Sequence, residues 1–333
     1  MSLSTLAIGT GTAAAFLIAR SLLAQAGSTS ARTRLIPPTQ EHVVIIGASS
    51  GIGCELGRIY AHRGARIVIV ARREALLQQL VDELRPVAGA IHAVQGDVTI
   101  PNDVQRITRE SLGALQGRVD TLILCAGIIS VLPFDELAGI DSTRSDSAML
   151  PSKAQEALEA SIKIMNVNYH APLNLTTHFL PTLTKSSPAG NIMVVSSMAG
   201  KVGAPTRAIY CASKHAAQGF FEALGMEVER TGVHVGIVSP GTVATDLRQS
   251  AVDLPKINDA SSSSSSTSSV ANPIAGTKKG AMTAQACAEG IVRGSDLRQH
   301  EVIMPWFYHV SLVLQIVSPG LVRWLAKKKY GYL

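Results

Sequence analysis

Tyr210 and Lys214 stand four residues apart in the run Tyr210-Cys211-Ala212-Ser213-Lys214. On a helix that spacing puts both side chains on one face. A free phenol titrates near 10 and carries protons poorly at neutral pH, but a nearby ammonium favours its ionised form. The pair therefore reads as a general acid/base with a tuning cation. Ser197 lies thirteen residues before Tyr210. A strand ending near Ser196-Ser197 and a helix opening near Ala208 bring the three side chains together. The Ser197 hydroxyl can then hydrogen-bond a substrate oxygen as charge develops on it.

A second group of residues suits a phosphate-bearing cofactor. Gly47-Ala48-Ser49-Ser50-Gly51-Ile52-Gly53 follows the apolar run His42 to Ile46 and precedes a helical pattern. Glycines in that context permit a tight turn, close approach of backbone to a pyrophosphate, and a helix N-terminus aimed at its charge. The next apolar run, Arg66 to Ala71, ends in Ala71-Arg72-Arg73. A carboxylate there would accept from a ribose 2′-hydroxyl, whereas guanidinium suits a 2′-phosphate. NADPH/NADP+ is the cofactor expected. Asp97-Val98 follows a third strand, where the carboxylate either accepts from an adenine amino group or caps the turn.

Positioning these residues requires alternating strands and helices. Strands are expected at His42 to Ile46, Arg66 to Ala71, Ile91 to Val94, Thr121 to Leu124, Asn191 to Ser196 and Val233 to Val238. Helices are expected from the glycine turn to His62, then at Arg73 to Leu84, Val104 to Leu115, Ala157 to Leu180 and Ala208 to Arg230. Short Val/Ile-rich runs without alternation suit strands covered on both faces. The pattern predicts an α/β fold: one doubly wound, Rossmann-type parallel sheet, a single domain spanning 41–300. Residues Ala138 to Ser152 and a serine-rich stretch over 249–279 interrupt it, and the latter lacks the apolar content to pack a core.

With these motifs in view, the chain resembles the short-chain dehydrogenase/reductase family. The resemblance rests on the glycine turn 47–53, Ser197, the Tyr210 to Lys214 run and Ser239-Pro240-Gly241-Thr242-Val243-Ala244-Thr245, and covers roughly residues 40 to 250. It implies that Tyr210 is the acid/base, that Lys214 lowers its pKa and binds the nicotinamide ribose, and that Ser197 orients a carbonyl. It further implies that Asn168 holds a water of the proton relay. The loop carrying Pro240, Gly241, Val243 and Thr245 would cover the nicotinamide, and Ala126 and Gly127 would border the cofactor. A homodimer built on the long helices is implied as well. Two positions depart from the family pattern: Ile46 replaces the usual Thr, and Leu124-Cys125 replaces a pair of Asn. The stretch from Ser196 to Glu229 is similar to the membrane-anchored, NADP(H)-preferring member 7 branch. That likeness suggests acyl-dihydroxyacetone phosphate, ketosphinganine, retinoid or steroid substrates. The rival class is a catalytically weak, NADP-binding membrane scaffold, against which the intact Ser197, Tyr210, Lys214 and Asn168 argue.

Both ends are apolar. Leu3 to Ala19 carries no charge, and Arg20, Arg32 and Arg34 follow it. Residues 1–26 are expected to form an uncleaved N-terminal membrane anchor, with the catalytic domain cytosolic and the endoplasmic reticulum as site. A cleaved signal ending at Ala24-Gln25-Ala26 is the alternative. Residues 27–40, with Pro37-Pro38, read as an extended linker. Residues 301–333 form a further apolar segment. Its Trp306, Phe307, Tyr308 and Trp324, with Lys327 to Lys329, suit a membrane lipid interface as well as a helix packed on the domain.

Bulk properties agree with this reading. The chain has 333 residues, 46% hydrophobic and 16% charged, enough for a large core. The net charge of +6 is scattered rather than gathered in a stripe with aromatics, so no nucleic-acid partner is expected. Cys54, Cys125, Cys211 and Cys287 form no CxxC pair and have no His at zinc spacing, so no metal is expected. The remaining partner is a small lipophilic carbonyl substrate.

Overall fold

The computed structural model describes residues 31–140, 151–253 and 281–332. The expected anchor, part of the insertion and most of the serine-rich stretch lie outside the described residues. Seven strands form one parallel sheet: β1 (His42–Ile46), β2 (Arg66–Ala71), β3 (Ala90–Gln95), β4 (Thr121–Leu124), β5 (Asn191–Val195), β6 (His234–Pro240) and β9 (Glu301–Met304). Their order is β3-β2-β1-β4-β5-β6-β9. Two-residue strands β7 (Val243–Ala244) and β8 (Met282–Thr283) pair separately. The helices are α1 (Ala31–Leu35), α2 (Gly51–His62), α3 (Glu74–Leu84), α4 (Pro101–Ala114), α5 (Phe134–Leu137) and α6 (Pro151–Met165). They continue with α7 (Ala171–Ser186), α8 (Ala208–Val228), α9 (Ala284–Asp296), α10 (Tyr308–Val317) and α11 (Pro319–Tyr330).

The Val/Ile runs of β1 and β2 are almost wholly buried because helices cover both sheet faces. One core layer joins Ile45, Ile67 and Ile69 to Leu56 and Tyr60 of α2, Leu77 of α3 and Ile291 of α9. The other joins Val44, Leu122 and Ile192 to Ile107 of α4, Phe179 of α7 and Phe221 of α8. Each such aliphatic or aromatic side chain contributes roughly 1.5–3 kcal/mol on burial. On α4 the buried residues Val104, Ile107, Thr108 and Ser111 follow the three-and-four spacing of one helix face, and Pro101 opens its first turn.

Four expectations change. The helix expected at Ala157 to Leu180 runs over both α6 and α7, and a π turn at Asn166–His170 divides it. The domain does not end at 300, because β9 pairs with β6 from Ile237↔Glu301 to Pro240↔Met304. The rest of the C-terminal segment folds as α10 and α11 rather than one helix. The linker, finally, is not an extended spacer where it is described. Arg32 on α1 is buried, ion-paired with Glu41 at 2.9 Å, and donates to Thr121 Oγ1 at 2.6 Å and Ala189 O at 3.1 Å. These contacts dock α1 at the N-terminal ends of β1, β4 and β5, the end of the sheet opposite the glycine turn. Among the described residues no helix is long and apolar enough to cross a membrane.

Candidate active site

All the chemistry-bearing loops leave the C-terminal ends of the parallel strands. The strand order reverses between β1 and β4, and ligands of doubly wound sheets sit in the crevice such a reversal opens. Gly47 and Ala126 face each other across it. Gly47 has φ +93°, and a Cβ there would stand 2.6 Å from Ala126 N. A Cβ on Gly53 would collide with the Gly47 carbonyl, so the first turn of α2 packs directly on the loop. The helix N-terminus is thereby brought against the space a pyrophosphate would fill.

A cavity of about 740 Å³ runs from this turn to the C-terminal helices. At one end it is lined by Gly47, Ser49, Ser50, Gly51, Ile52, Arg72, Arg73, Asp97 and Val98. Arg73 Nη2 donates to Ser49 Oγ at 2.9 Å and Ser50 Oγ at 2.7 Å, so its guanidinium is held over the glycine turn. Arg72, exposed like Arg73, lies 3.8 Å from Asp97. The Asp97 carboxylate accepts from Thr99 N and Thr99 Oγ1, so it caps its turn while lining the cavity. Gly53 itself stays behind the wall. Ala126, Gly127, Pro240, Gly241, Val243 and Thr245 continue the lining.

Ser197, Tyr210 and Lys214 meet in the same cavity. Ser197 ends the β5 loop, where its Oγ accepts from Ala199 N at 3.1 Å and caps a short 3-10 turn. Its hydroxyl is also hydrogen-bonded to the Tyr210 phenol. Lys214, one turn further along α8, donates to Val195 O at 2.9 Å. Its Nζ lies 5.9 Å from the Tyr210 ring centre. Burial dominates the protonation of both groups. It pushes Tyr210 up to about 12 against the opposing Ser197 bond, and Lys214 down to about 8.

Asn168 sits buried in the π turn. Its Oδ1 accepts from Ile128 N at 3.0 Å, and its Nδ2 donates to Ile128 O at 2.9 Å and Ser213 Oγ at 3.0 Å. Both amide hydrogens are used, leaving one Oδ1 lone pair for water. The side chain braces the β4 loop against α8, directly behind Tyr210 and Lys214.

Several lining or supporting residues were not anticipated. Arg207 donates to Ser130 O at 2.8 Å and is hydrogen-bonded to the Tyr330 side chain; burial depresses its pKa. Asp253 accepts from Ser130 Oγ, Val131 N and Leu132 N through one oxygen, tying the β4 loop to the segment after Thr245. Tyr308 of α10 presses on Gly241, where any Cβ would overlap its ring. Leu314, Val322 and Leu325 of the C-terminal helices complete the wall. No local motif marks these residues, and Tyr308, Leu314, Val322 and Leu325 are brought in only by the return of the chain after β9. Among the described residues no group of His, Cys, Asp or Glu could hold a metal ion, and all four cysteines are free.

A glycine turn at a strand-order reversal, with a buried tyrosine, its lysine and a serine in one cavity, is the arrangement of a nicotinamide-dependent oxidoreductase. The chain belongs to the short-chain dehydrogenase family, whose model matches residues 41–255. Among curated relatives, it is 33% identical over 227 residues to dehydrogenase/reductase SDR family member 7B of Danio rerio, covering 66% of this chain and 67% of that one. The bovine (Bos taurus) member 7B is 32% identical, over 63% of this chain and 60% of its own length. A dehydrogenase/reductase SDR family protein 7-like of Dictyostelium discoideum is 30% identical over 86% of this chain and 80% of its own. A short-chain dehydrogenase/reductase from Burkholderia phymatum, solved in complex with NAD, shares the fold. Its TM-score is 0.65 at 22% identity, over 84% of this chain and 94% of that one.

Proposed function

We propose that the protein is an NADPH-dependent reductase of ketones or aldehydes on lipophilic molecules, held at the cytosolic face of the endoplasmic reticulum membrane by its N-terminal apolar segment. The observation that carries the chemistry is the meeting of Ser197, Tyr210 and Lys214 in a cavity walled partly by Leu314, Val322 and Leu325. The guanidinium of Arg73 over the glycine turn supports NADPH, because a 2′-phosphate would meet it there. The turn fits the dinucleotide, since Gly47, Ser49, Ser50 and Gly51 line the cavity and glycine backbone can approach a pyrophosphate closely. Of the substrates weighed, an acyl-dihydroxyacetone phosphate fits best, as Arg207, Arg248 and Lys329 line the same cavity as the apolar wall.

When bound, NADPH supplies hydride to the carbonyl carbon. Ser197 and Tyr210 hydroxyls hold the carbonyl oxygen, and Tyr210 gives it a proton as negative charge builds. Burial keeps the phenol protonated until that moment. Lys214 stabilises the tyrosinate left behind, and its remaining N–H donors can hold the nicotinamide ribose. Asn168 fixes the β4 loop and α8 relative to each other, so the proton donor stays aligned.

The test is NADPH oxidation by the detergent-solubilised full chain on a panel of lipid ketones and aldehydes, with NADH and Tyr210→Phe as controls. Turnover that prefers NADPH and vanishes in the variant supports the reading. Tight NADPH binding without turnover on any carbonyl favours the scaffold alternative instead.

A further inference from the structure

The hairpin of α10 and α11 carries an apolar surface that the domain does not bury. Ile316 is 85% exposed, Val317 76%, Trp306 60% and Trp324 46%, with Val313 and Leu321 exposed beside them. Contiguous apolar surface of this kind marks an interaction site. The charge around it has one sign. Residues 302–333 contain Arg323, Lys327, Lys328 and Lys329 and no Asp or Glu. Lys328 Nζ stands 5.1 Å from the Trp324 ring centre, so cation and indole share one rim. Asp135 and Glu136 of α5 lie near Tyr332, past the end of α11.

We infer that this hairpin docks on an anionic bilayer surface, and that the cavity behind it draws its substrate from that bilayer. Indole rings and lysines at the edge of an apolar helix face are the composition of an interfacial helix. A second copy fits less well, because a symmetric contact would set four cations against four. The hairpin is also continuous with the site: Tyr308, Leu314, Val322, Leu325 and Tyr330 line the cavity. A lipid leaving the headgroup region meets this wall before the loops. The delivery step rests on the reductase reading above; the docking step does not.

The chain has two tryptophans, Trp306 and Trp324, and both flank this hairpin. Intrinsic fluorescence of the full chain therefore reports this face alone, whatever holds residues 1–30. The experiment compares vesicles of phosphatidylcholine with vesicles that also contain phosphatidylserine, using bromine-labelled acyl chains and aqueous acrylamide as opposed quenchers. In the anionic vesicles the emission shifts to the blue, bromolipid quenches it and acrylamide loses access. Replacing Lys327, Lys328 and Lys329 with Gln weakens docking roughly 100-fold, since each lysine near an anionic surface is worth about fivefold. Tryptophans that stay open to acrylamide and unquenched by bromolipid overturn the inference. So does concentration-dependent shielding without lipid, which would assign the face to a second copy. For delivery, Ile316→Asp with Val317→Asp lowers turnover of a bilayer-borne ketone and leaves a water-soluble carbonyl unaffected. Equal loss on both overturns delivery, and no turnover of either by the wild type fails the reductase reading while the fluorescence still judges docking.

Discussion

The proposed preference for NADPH rests on two adjacent arginines whose hydrogen bonding differs. Arg73 is anchored by the hydroxyls of Ser49 and Ser50, beside the N-terminus of α2. Arg72 has a side chain 64% exposed and a loose 3.8 Å partner in Asp97. A charge-assisted hydrogen bond from a positioned guanidinium to phosphate is worth about 1.5–3 kcal/mol. At 1.4 kcal/mol per tenfold, Arg73→Ala should weaken NADPH binding roughly 10- to 150-fold. An exposed pair contributes about 0.2–1 kcal/mol, so Arg72→Ala should cost less than about fivefold and lose its effect in high salt. NADH lacks the 2′-phosphate and should bind both variants much as it binds the wild type. The assay is a titration of each variant with NADPH and NADH at two salt concentrations. Ala71→Asp in the Arg73→Ala background should then invert the preference, because a carboxylate at the end of β2 accepts from a free 2′-hydroxyl. Equal losses for NADPH and NADH in Arg73→Ala would refute the reasoning, and so would a wild type that uses the two alike.

Three further outcomes are expected. Lys214 is held near 8 by burial, so its ammonium is lost as pH rises through that value while Tyr210, near 12, keeps its proton. Carbonyl reduction should therefore decline above pH 8; Lys214→Arg, if active, should move that limb upward, and a pH–rate profile flat to 10 would contradict this. Arg32→Ala leaves Glu41 charged and buried, which should cost about 3–5 kcal/mol in urea unfolding. A loss below about 1 kcal/mol would return the linker to a spacer. Arg207→Gln should raise KM for a phosphate-bearing ketone roughly tenfold or more, in keeping with a lost charged hydrogen bond, and leave a neutral ketone's KM alone; parallel changes would remove Arg207 from substrate recognition.

The parts of the fold legible in the sequence are those set by local composition. β1, β2 and β4 fall on their expected bounds because unbroken Val/Ile/Leu runs between turns suit only strands covered on both faces. Gly47 and Gly51 could be placed because positive φ and close backbone approach leave glycine as the residue of choice. β9 could not. Its four residues carry no alternation and become a strand only by pairing with β6, a choice made by tertiary structure. The π turn at Asn166–His170 has no sequence signal either; Asn168 is drawn inward by Ile128 and Ser213, which lie forty residues or more away in sequence. Arg32 reads as a linker charge until Glu41, Thr121 and Ala189 converge on it from three distant segments.

The opposite shifts of Tyr210 and Lys214 share one cause, exclusion of water. In a dry site the neutral phenol and the neutral amine are both favoured, so the ammonium makes little difference to the resting tyrosine. The same dryness strengthens every interaction with charge that appears during the reaction. In the proposed reaction, once Tyr210 has given up its proton, the nearby ammonium would face a tyrosinate across a poorly screened gap, and its stabilisation would be greatest in the transition state. A resting pKa near 12 is thus compatible with efficient proton donation in the reducing direction and opposes abstraction from an alcohol. Tyr210 packs against Ile129 and Val131, and Tyr308, Leu314 and Leu325 from the segment that follows β9 line the same cavity. That segment reads in sequence as an appendage to the domain. In the fold it forms part of the cavity wall, so loosening the hairpin should admit water and slow the proposed proton transfer without altering Ser197, Tyr210 or Lys214.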